Sequence, residues 1–276
     1  MRNNIKRIIK LVISLIVFII DYLSGLFSSF INKTDSSYVV LYYHAVHPGG
    51  KNKFEQQMDE LLRWTKPIHL NAIGQMKLAG RYSAVTFDDG FICVRDYALP
   101  VLAARNIPAT LFVPSGCLGE HPPWLDKETE GCKDVVMTAA QLNSLDKNLV
   151  LIGSHCITHQ NLLSLSYEES KKEIIQSKSD LEKLLSIPIE NISFPHGAFN
   201  QTHIDLALQA GYRQAFSILP ELNYFNSDKF VKGRVKVDPS DWWIEYRLKL
   251  LGAYRWLPKA FIAKRKIRSL FKSASH

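Results

Sequence analysis

A series of short apolar runs, most of them closing on a polar cluster, alternates along this chain with amphipathic segments at helical spacing. The runs are Tyr38–Tyr43 before His44, Ala84–Phe87 before Asp88, Asp89 and Gly90, Ala109–Val113, Leu149–Gly153 before Ser154 and His155, Asn191–Phe194 before Pro195, His196 and Gly197, Gln214–Ile218, and Val231–Val237. Between them Phe54–Trp64 carries Met58, Leu61 and Leu62 on one face, and residues 94–105 carry Leu99, Leu102 and Ala103. Ser166 and Glu169 form a capping box opening a long helix with Ile174, Leu181, Leu184 and Leu185 on its apolar face; a further helix, Thr202–Ala210, stops at Gly211. Strand alternating with helix predicts an α/β fold with a parallel sheet and helical crossovers. In such folds the active site assembles beyond the strand ends, where the polar clusters of this chain fall. Residues 114–137 lack periodicity, carry Gly119, Pro122, Pro123 and Gly131, and read as an excursion from the core.

The charge is unevenly spread. The net charge is +8, yet Arg2, Lys6, Arg7 and Lys10 at one end and Arg255, Lys259, Lys264, Arg265, Lys266, Arg268 and Lys272 at the other leave residues 11–254 with a net −3. The body is therefore no polyanion binder, and nucleic acid is excluded as a partner. Both basic ends are interleaved with apolar residues, which favours a membrane surface. Residues 11–31 are almost wholly apolar and about one bilayer long. They read as an uncleaved single-pass anchor, with an interfacial helix as the alternative because Asp21 lies mid-segment. The expected organisation is a membrane anchor or interfacial helix over residues 1–35, a catalytic domain over 36–245 and a basic amphipathic tail over 246–276, with the protein at the cell membrane. Cys93, Cys117, Cys132 and Cys156 show no paired metal-binding spacing.

Asp88 and Asp89 pose an electrostatic problem. Adjacent carboxylates at the end of a buried strand repel each other unless a cation or proton lies between them. His155 and His159, four residues apart, would share a face on one helical turn and could grip one ion. Two imidazoles and a carboxylate make a common open zinc site, leaving room for water and substrate.

Thr86-Phe87-Asp88-Asp89-Gly90, Ser154-His155-Cys156-Ile157-Thr158-His159 and Phe194-Pro195-His196-Gly197 resemble the first three motifs of polysaccharide deacetylases, the NodB-homology domains of carbohydrate esterase family 4. The resemblance covers about residues 38–240 in the family's order. It implies an incomplete, distorted (β/α) barrel with a divalent metal, usually zinc, at the strand C-termini. Carried over residue by residue, it makes Asp89, His155 and His159 the metal ligands. Asp88 becomes the base that takes a proton from the attacking water, and the turn Pro195, His196 and Gly197 supplies an oxyanion donor.

The chain also departs from the pattern. Cys156 stands where the family has Ser or Thr. The arginine that precedes the third motif and orients the base is missing near Asn191–Ser193, and Arg234 is the substitute expected. The C-terminal Leu-x-His motif, source of the general acid, is absent, since the only histidine after His203 is His276. Leu41-Tyr42-Tyr43-His44 offers an equivalent strand-end histidine at the front of the chain. This is similar to the permuted exopolysaccharide deacetylases of the poly-N-acetylglucosamine type, and makes His44 the expected general acid. His47 is a poorer candidate, and His69, His121 and His203 read as surface residues. Trp242 and Trp243 read as helix packing, with sugar stacking as the alternative. The implied function is metal-dependent N-deacetylation of a lipid-linked or cell-surface glycan. The rivals are deformylation of a lipid-linked aminosugar and a catalytically inactive, glycan-binding member of the fold.

Overall fold

The computed structural model describes residues 2–28, 36–73, 80–125 and 134–261. Along the chain lie α1 (Arg2–Ser28), β1 (Ser37–Tyr43), α2 (Lys51–Trp64), β2 (Lys66–Pro67), β3 (Arg81–Phe87), α3 (Leu99–Ala103), β4 (Ala109–Val113), α4 (Ala139–Asn143), β5 (Val150–Ser154), α5 (Tyr167–Lys171), α6 (Ser177–Leu185), β6 (Asn191–Ser193), α7 (Gln201–Gln209), β7 (Gln214–Phe216), β8 (Asn223–Tyr224), β9 (Val231–Lys232), β10 (Val235–Lys236) and α8 (Trp243–Leu250). The helix expected after Ser166 opens on its capping box, but a π-turn over Lys172–Gln176 divides it into α5 and α6. A second π-turn, Val94–Ala98, leads into α3.

The strands form one sheet in the order β10-β1-β3-β4-β5-β6-β7-β9, with β2 added to β3 and β8 to β1. Every pairing along that path is parallel. Its two ends, β9 and β10, are separated in sequence only by Gly233 and Arg234. The chain thus steps from one edge of the sheet to the other, giving the nearly closed (β/α) barrel expected, and the single strand read over Val231–Val237 is split by the step. At Gly233 a Cβ would lie 2.5 Å from the Leu219 carbonyl oxygen, so no larger residue fits. The Asn223 side chain donates to the Gly233 carbonyl at 3.0 Å and accepts from its N–H at 3.4 Å, fixing the step.

Period-two alternation sorts the side chains. Tyr38, Val40, Tyr82, Ala84, Phe112 and Phe216 pack together as one cluster, whereas Val39, Leu41, Tyr43, Val85 and Phe87 join Phe54, Met58 and Leu61 of α2 in the main core. Leu62 and Leu184, expected on buried faces, are 42% and 47% exposed, because each lies at the edge of its helix's apolar stripe.

The N-terminal segment differs from its expected form. Among the described residues no helix is long and apolar enough to cross a membrane, so the expected single-pass anchor has no support. Instead α1 packs along α8 and the turns after it. Arg7 Nε donates to Glu245 at 2.6 Å and Trp256 Nε1 to Ser14 Oγ at 2.9 Å. Arg255 grips both oxygens of Asp21 at 2.7 and 2.5 Å. Leu11 and Phe18 lie against Leu248, Ala253, Tyr254 and Leu257. Residues 29–35 and 262–276, parts of the expected anchor and tail, lie outside the described residues.

Candidate active site

Register brings the site together. Tyr43 of β1 pairs with Phe87 of β3, so His44 and Asp88 leave neighbouring strands side by side, tied by the Asp88 N–H donating to the Tyr43 carbonyl at 2.9 Å. His155 follows β5 and donates its N–H to Val113 O of β4 at 2.9 Å. Beyond these points the backbone turns sharply. Asp89, Cys156, His159 and His196 all adopt left-handed φ values, of 67°, 63°, 59° and 58°. Such strained residues cluster where a surrounding structure over-determines them, as at active sites.

Cys156 and His159 cannot be helical with those dihedrals, so the helical turn expected over His155–His159 does not form. The two imidazoles converge from an irregular loop. Glu173, in the π-turn after α5, accepts the N–H groups of Ile157 and Thr158 at 2.8 and 3.0 Å, and also the Thr158 hydroxyl. A buried carboxylate thus takes the place of the helical hydrogen bonds the loop lacks. Sequence reasoning missed Glu173, since no spacing links a helix glutamate to a loop upstream.

Arg234 is where the substitute arginine was expected, and it is fully buried. Nη1 donates to Asp88 Oδ1 at 2.7 Å and Thr86 Oγ1 at 3.2 Å, and Nη2 to Asp88 Oδ2 at 2.8 Å and Ser193 Oγ at 2.7 Å. Nε donates to Ser217 O at 3.2 Å. All five guanidinium donors are engaged, which is what makes a buried cation tolerable. The guanidinium also stacks over Tyr42 and Phe112, at 4.6 and 5.2 Å from the ring centres. Burial alone would raise the Asp88 carboxyl, but the Arg234 guanidinium, with His155 beside it, holds it well below the usual carboxylate range.

Asp89 behaves in the opposite way. Burial and the neighbouring Asp88 charge push its carboxyl well up, and its buried Oδ1 has no hydrogen-bond partner. His159 Nε2 lies 3.4 Å and His155 Nε2 3.9 Å from that oxygen. His155 Nδ1 donates to the Ser193 carbonyl at 2.7 Å, so Nε2 presents its lone pair to the site. Burial lowers His155 to about 4. Burial, then the neighbouring His155 and His196, lowers His159 to about 2. The donor atoms of Asp89, His155 and His159 lie within 4.8 Å of one another. An orphaned carboxylate oxygen facing two neutral imidazoles is a donor set that fits a divalent cation.

The turn Pro195, His196 and Gly197 borders the same space. The Gly197 N–H already donates to Phe194 O at 3.0 Å, and proline has no N–H. The His196 N–H is the remaining donor of the turn, and the His196 ring lies edge-on to His159 with centroids 4.6 Å apart. Burial lowers the His44 imidazole, partly opposed by the Asp88 charge.

These groups line a cleft of about 830 Å³. The supposed excursion contributes Trp124, Leu125 and Asp134 to its wall, and the Trp124 ring stacks on His159 with centroids 4.1 Å apart. No periodicity could have announced that. His47 also lines the cleft, with Nε2 3.5 Å from Asp134. His203, read as a surface residue, is buried because its Nδ1 accepts the Asn200 N–H in the cap of α7. Trp242 and Trp243 stay out of the core; each carries an arginine over its ring, Arg7 and Arg247, at 4.4 and 4.8 Å.

The geometry has known relatives. The sequence profile of the polysaccharide deacetylase family matches residues 75–215. YxkH of Bacillus subtilis (strain 168) is 25% identical over 211 residues, 72% of this chain and 71% of that protein. The structure of IcaB from Ammonifex degensii is similar at a TM-score of 0.65 and 24% identity, covering 80% of this chain and 97% of that one. The de-N-acetylase from Aggregatibacter actinomycetemcomitans is similar at a TM-score of 0.66 and 18% identity, covering 78% and 100%. At these identities the structural likenesses speak for the fold, while the profile spans more than half the chain. This chain belongs to the polysaccharide deacetylase family, hydrolases of N-acetyl amide bonds.

Proposed function

We propose that this protein releases acetyl groups from the N-acetylated sugars of a glycan by metal-dependent hydrolysis, with Asp89, His155 and His159 holding a divalent ion, zinc foremost. The observation that carries the reading is the buried, unpartnered Asp89 Oδ1 facing two imidazoles whose burial keeps them neutral. When bound, the ion acidifies water and polarises the substrate carbonyl. Asp88 stays ionised through Arg234 and accepts the proton of the attacking water. Each of its oxygens keeps a lone pair beyond the one that faces the guanidinium. A carboxylate held this low is a weak base, so the role works only on water made acidic.

His44 leaves β1 beside Asp88 and reaches the cleft from the side opposite the His196 turn in strand order. It protonates the departing amine. The His196 N–H stabilises the developing oxyanion. Arg234 touches neither water nor substrate and acts by orienting Asp88.

The test is acyl release from acetylated oligosaccharides by the purified chain with zinc supplied, followed by mass spectrometry. Acetate release that stops on chelation and returns with zinc is the expected result. No acetate in the presence of zinc would sink the reading, and formate release from a formylated aminosugar in its place would move the specificity to the smaller acyl group.

A further inference from the structure

The side of α1 that faces away from the domain has no partner among the described residues. Its docked seam is Arg7, Leu11, Ser14, Phe18 and Asp21, spaced three and four apart as in a coiled-coil stripe. On the opposite side Ile9, Val12, Ile16, Ile19, Ile20 and Leu23 are 46–58% exposed. A continuous apolar face of this length is far beyond the scattered hydrophobics of an ordinary surface. Exposed Lys6 and Lys10 flank it at one end and exposed Lys259 lies on the segment after α8.

We infer that α1 is an in-plane membrane anchor, its outer face inserted into one leaflet of an anionic lipid bilayer while its seam stays on the domain. Charge decides between the lipid and a second copy of this chain. Two copies meeting in parallel on this face would bring Lys6 and Lys10 against their own counterparts, and an antiparallel pair would set them against the uncharged Tyr22, Leu23 and Ser24, whereas anionic headgroups complement them. The seam decides between lying in the leaflet and crossing it. Crossing would strip α1 from α8, break the Arg7–Glu245 and Arg255–Asp21 pairs and leave Asp21 alone in hydrocarbon. Docked as it is, Asp21 faces Arg255, away from the lipid side.

The anchor also reaches the cleft. Arg7 Nη2 donates to the carbonyl of Ser240 at 3.1 Å, and Ser240 lines the cleft beside Asp238 and Pro239. The N-terminal part of α1 therefore abuts the cleft wall, and a glycan carried on a lipid, or emerging at the membrane surface, is the substrate class placed within reach. This last step rests on the deacetylase reading; the lipid contact does not.

The experiment is flotation of the full chain with phosphatidylcholine–phosphatidylglycerol vesicles, without any glycan. The chain should float with them, less with phosphatidylcholine alone. The variant Ile9→Ser/Ile16→Ser/Ile20→Ser should lose partitioning by at least about tenfold while keeping wild-type hydrolysis of a soluble acetylated oligosaccharide. In a Cys132→Ser chain bound to preformed vesicles, a membrane-impermeant maleimide should label both Lys6→Cys and Ser24→Cys. Labelling of only one would mean a span and overturn the in-plane anchor. Equal flotation of the triple variant, or a wild-type chain that light scattering shows as a dimer and that ignores vesicles, would overturn the lipid contact. Because vesicle binding is read without substrate, its failure leaves the catalytic reading standing, and the converse holds too.

Discussion

Arg234 and Asp88 stand 146 residues apart in the chain yet meet through two parallel hydrogen bonds, of 2.7 and 2.8 Å, in a fully buried fork. The pair sits where the two edges of the barrel join. It sets the charge of one carboxylate and leaves Asp89 free to do something else.

Replacing Arg234 by Ala leaves Asp88 as an uncompensated buried charge, and the chain should lose about 3–5 kcal/mol of stability in urea unfolding. The sign with pH follows from the direction of the shift. Asp88 is held low in the folded protein, so the pair's contribution is full above the ordinary carboxylate range and fades only in strong acid. In the variant the Asp88 carboxyl rises, and the acid limb of kcat/KM should move to higher pH. Arg234→Lys keeps a charge but not the fork, and should recover little of either property.

His44→Ala should lower kcat by about 10²- to 10⁴-fold, the usual range for a general acid, with KM and bound zinc unchanged. Steady-state kinetics and metal analysis on the same preparation check this. Unchanged turnover would remove His44 from the acid role.

Zinc should raise the melting temperature of metal-free protein, since an ion that binds only the folded site at a hundredfold excess over its Kd adds about 2.7 kcal/mol. The pH dependence of the metal-free form has a definite sign. His155 and His159 are lowered to about 4 and about 2, so as pH falls below the ordinary histidine range the unfolded chain takes up protons that the folded chain refuses. Stability is lost there. Asp89, raised by burial, works the other way, but two imidazoles outweigh one carboxylate. The melting temperature without zinc should drop between neutral pH and about pH 4, and scanning fluorimetry across that range reads it directly.

Glu173→Ala removes the acceptor of the Ile157 and Thr158 N–H groups and of the Thr158 hydroxyl. His159 should then lose its fixed aim, and zinc affinity should fall about 10- to 100-fold, as for other groups that orient a metal ligand through its surroundings. Competition with a chromogenic chelator measures it. A loss of kcat with zinc affinity intact would place Glu173 elsewhere in the mechanism.

Much of the frame was legible because strand ends announce themselves. An apolar run followed by His44, Asp88, His155 or Pro195 marks both an element and its exit point, and parallel order then places those exits on one rim. Arg234 could be named because the resemblance calls for an arginine that the stretch before Pro195 lacks. What stayed hidden depends on contacts with no local sign. The loop of His155 and His159 satisfies i, i+4 spacing without being a helix, and only the left-handed φ of Cys156 and His159 reveals this. Trp124 reaches His159 from a stretch with no period at all. Asp21 argued against a membrane span, but its answer, Arg255, lies 234 residues away.

The two-residue step from β9 to β10 has a consequence for the order in which the protein comes alive. Asp88 is made early and Arg234 late, so through most of synthesis Asp88 is a carboxylate with no counter-charge to hold it. The stitch that seals the barrel is the same one that brings Asp88 its counter-charge. The fork between Asp88 and Arg234 therefore closes only when the last strands of the barrel are in place.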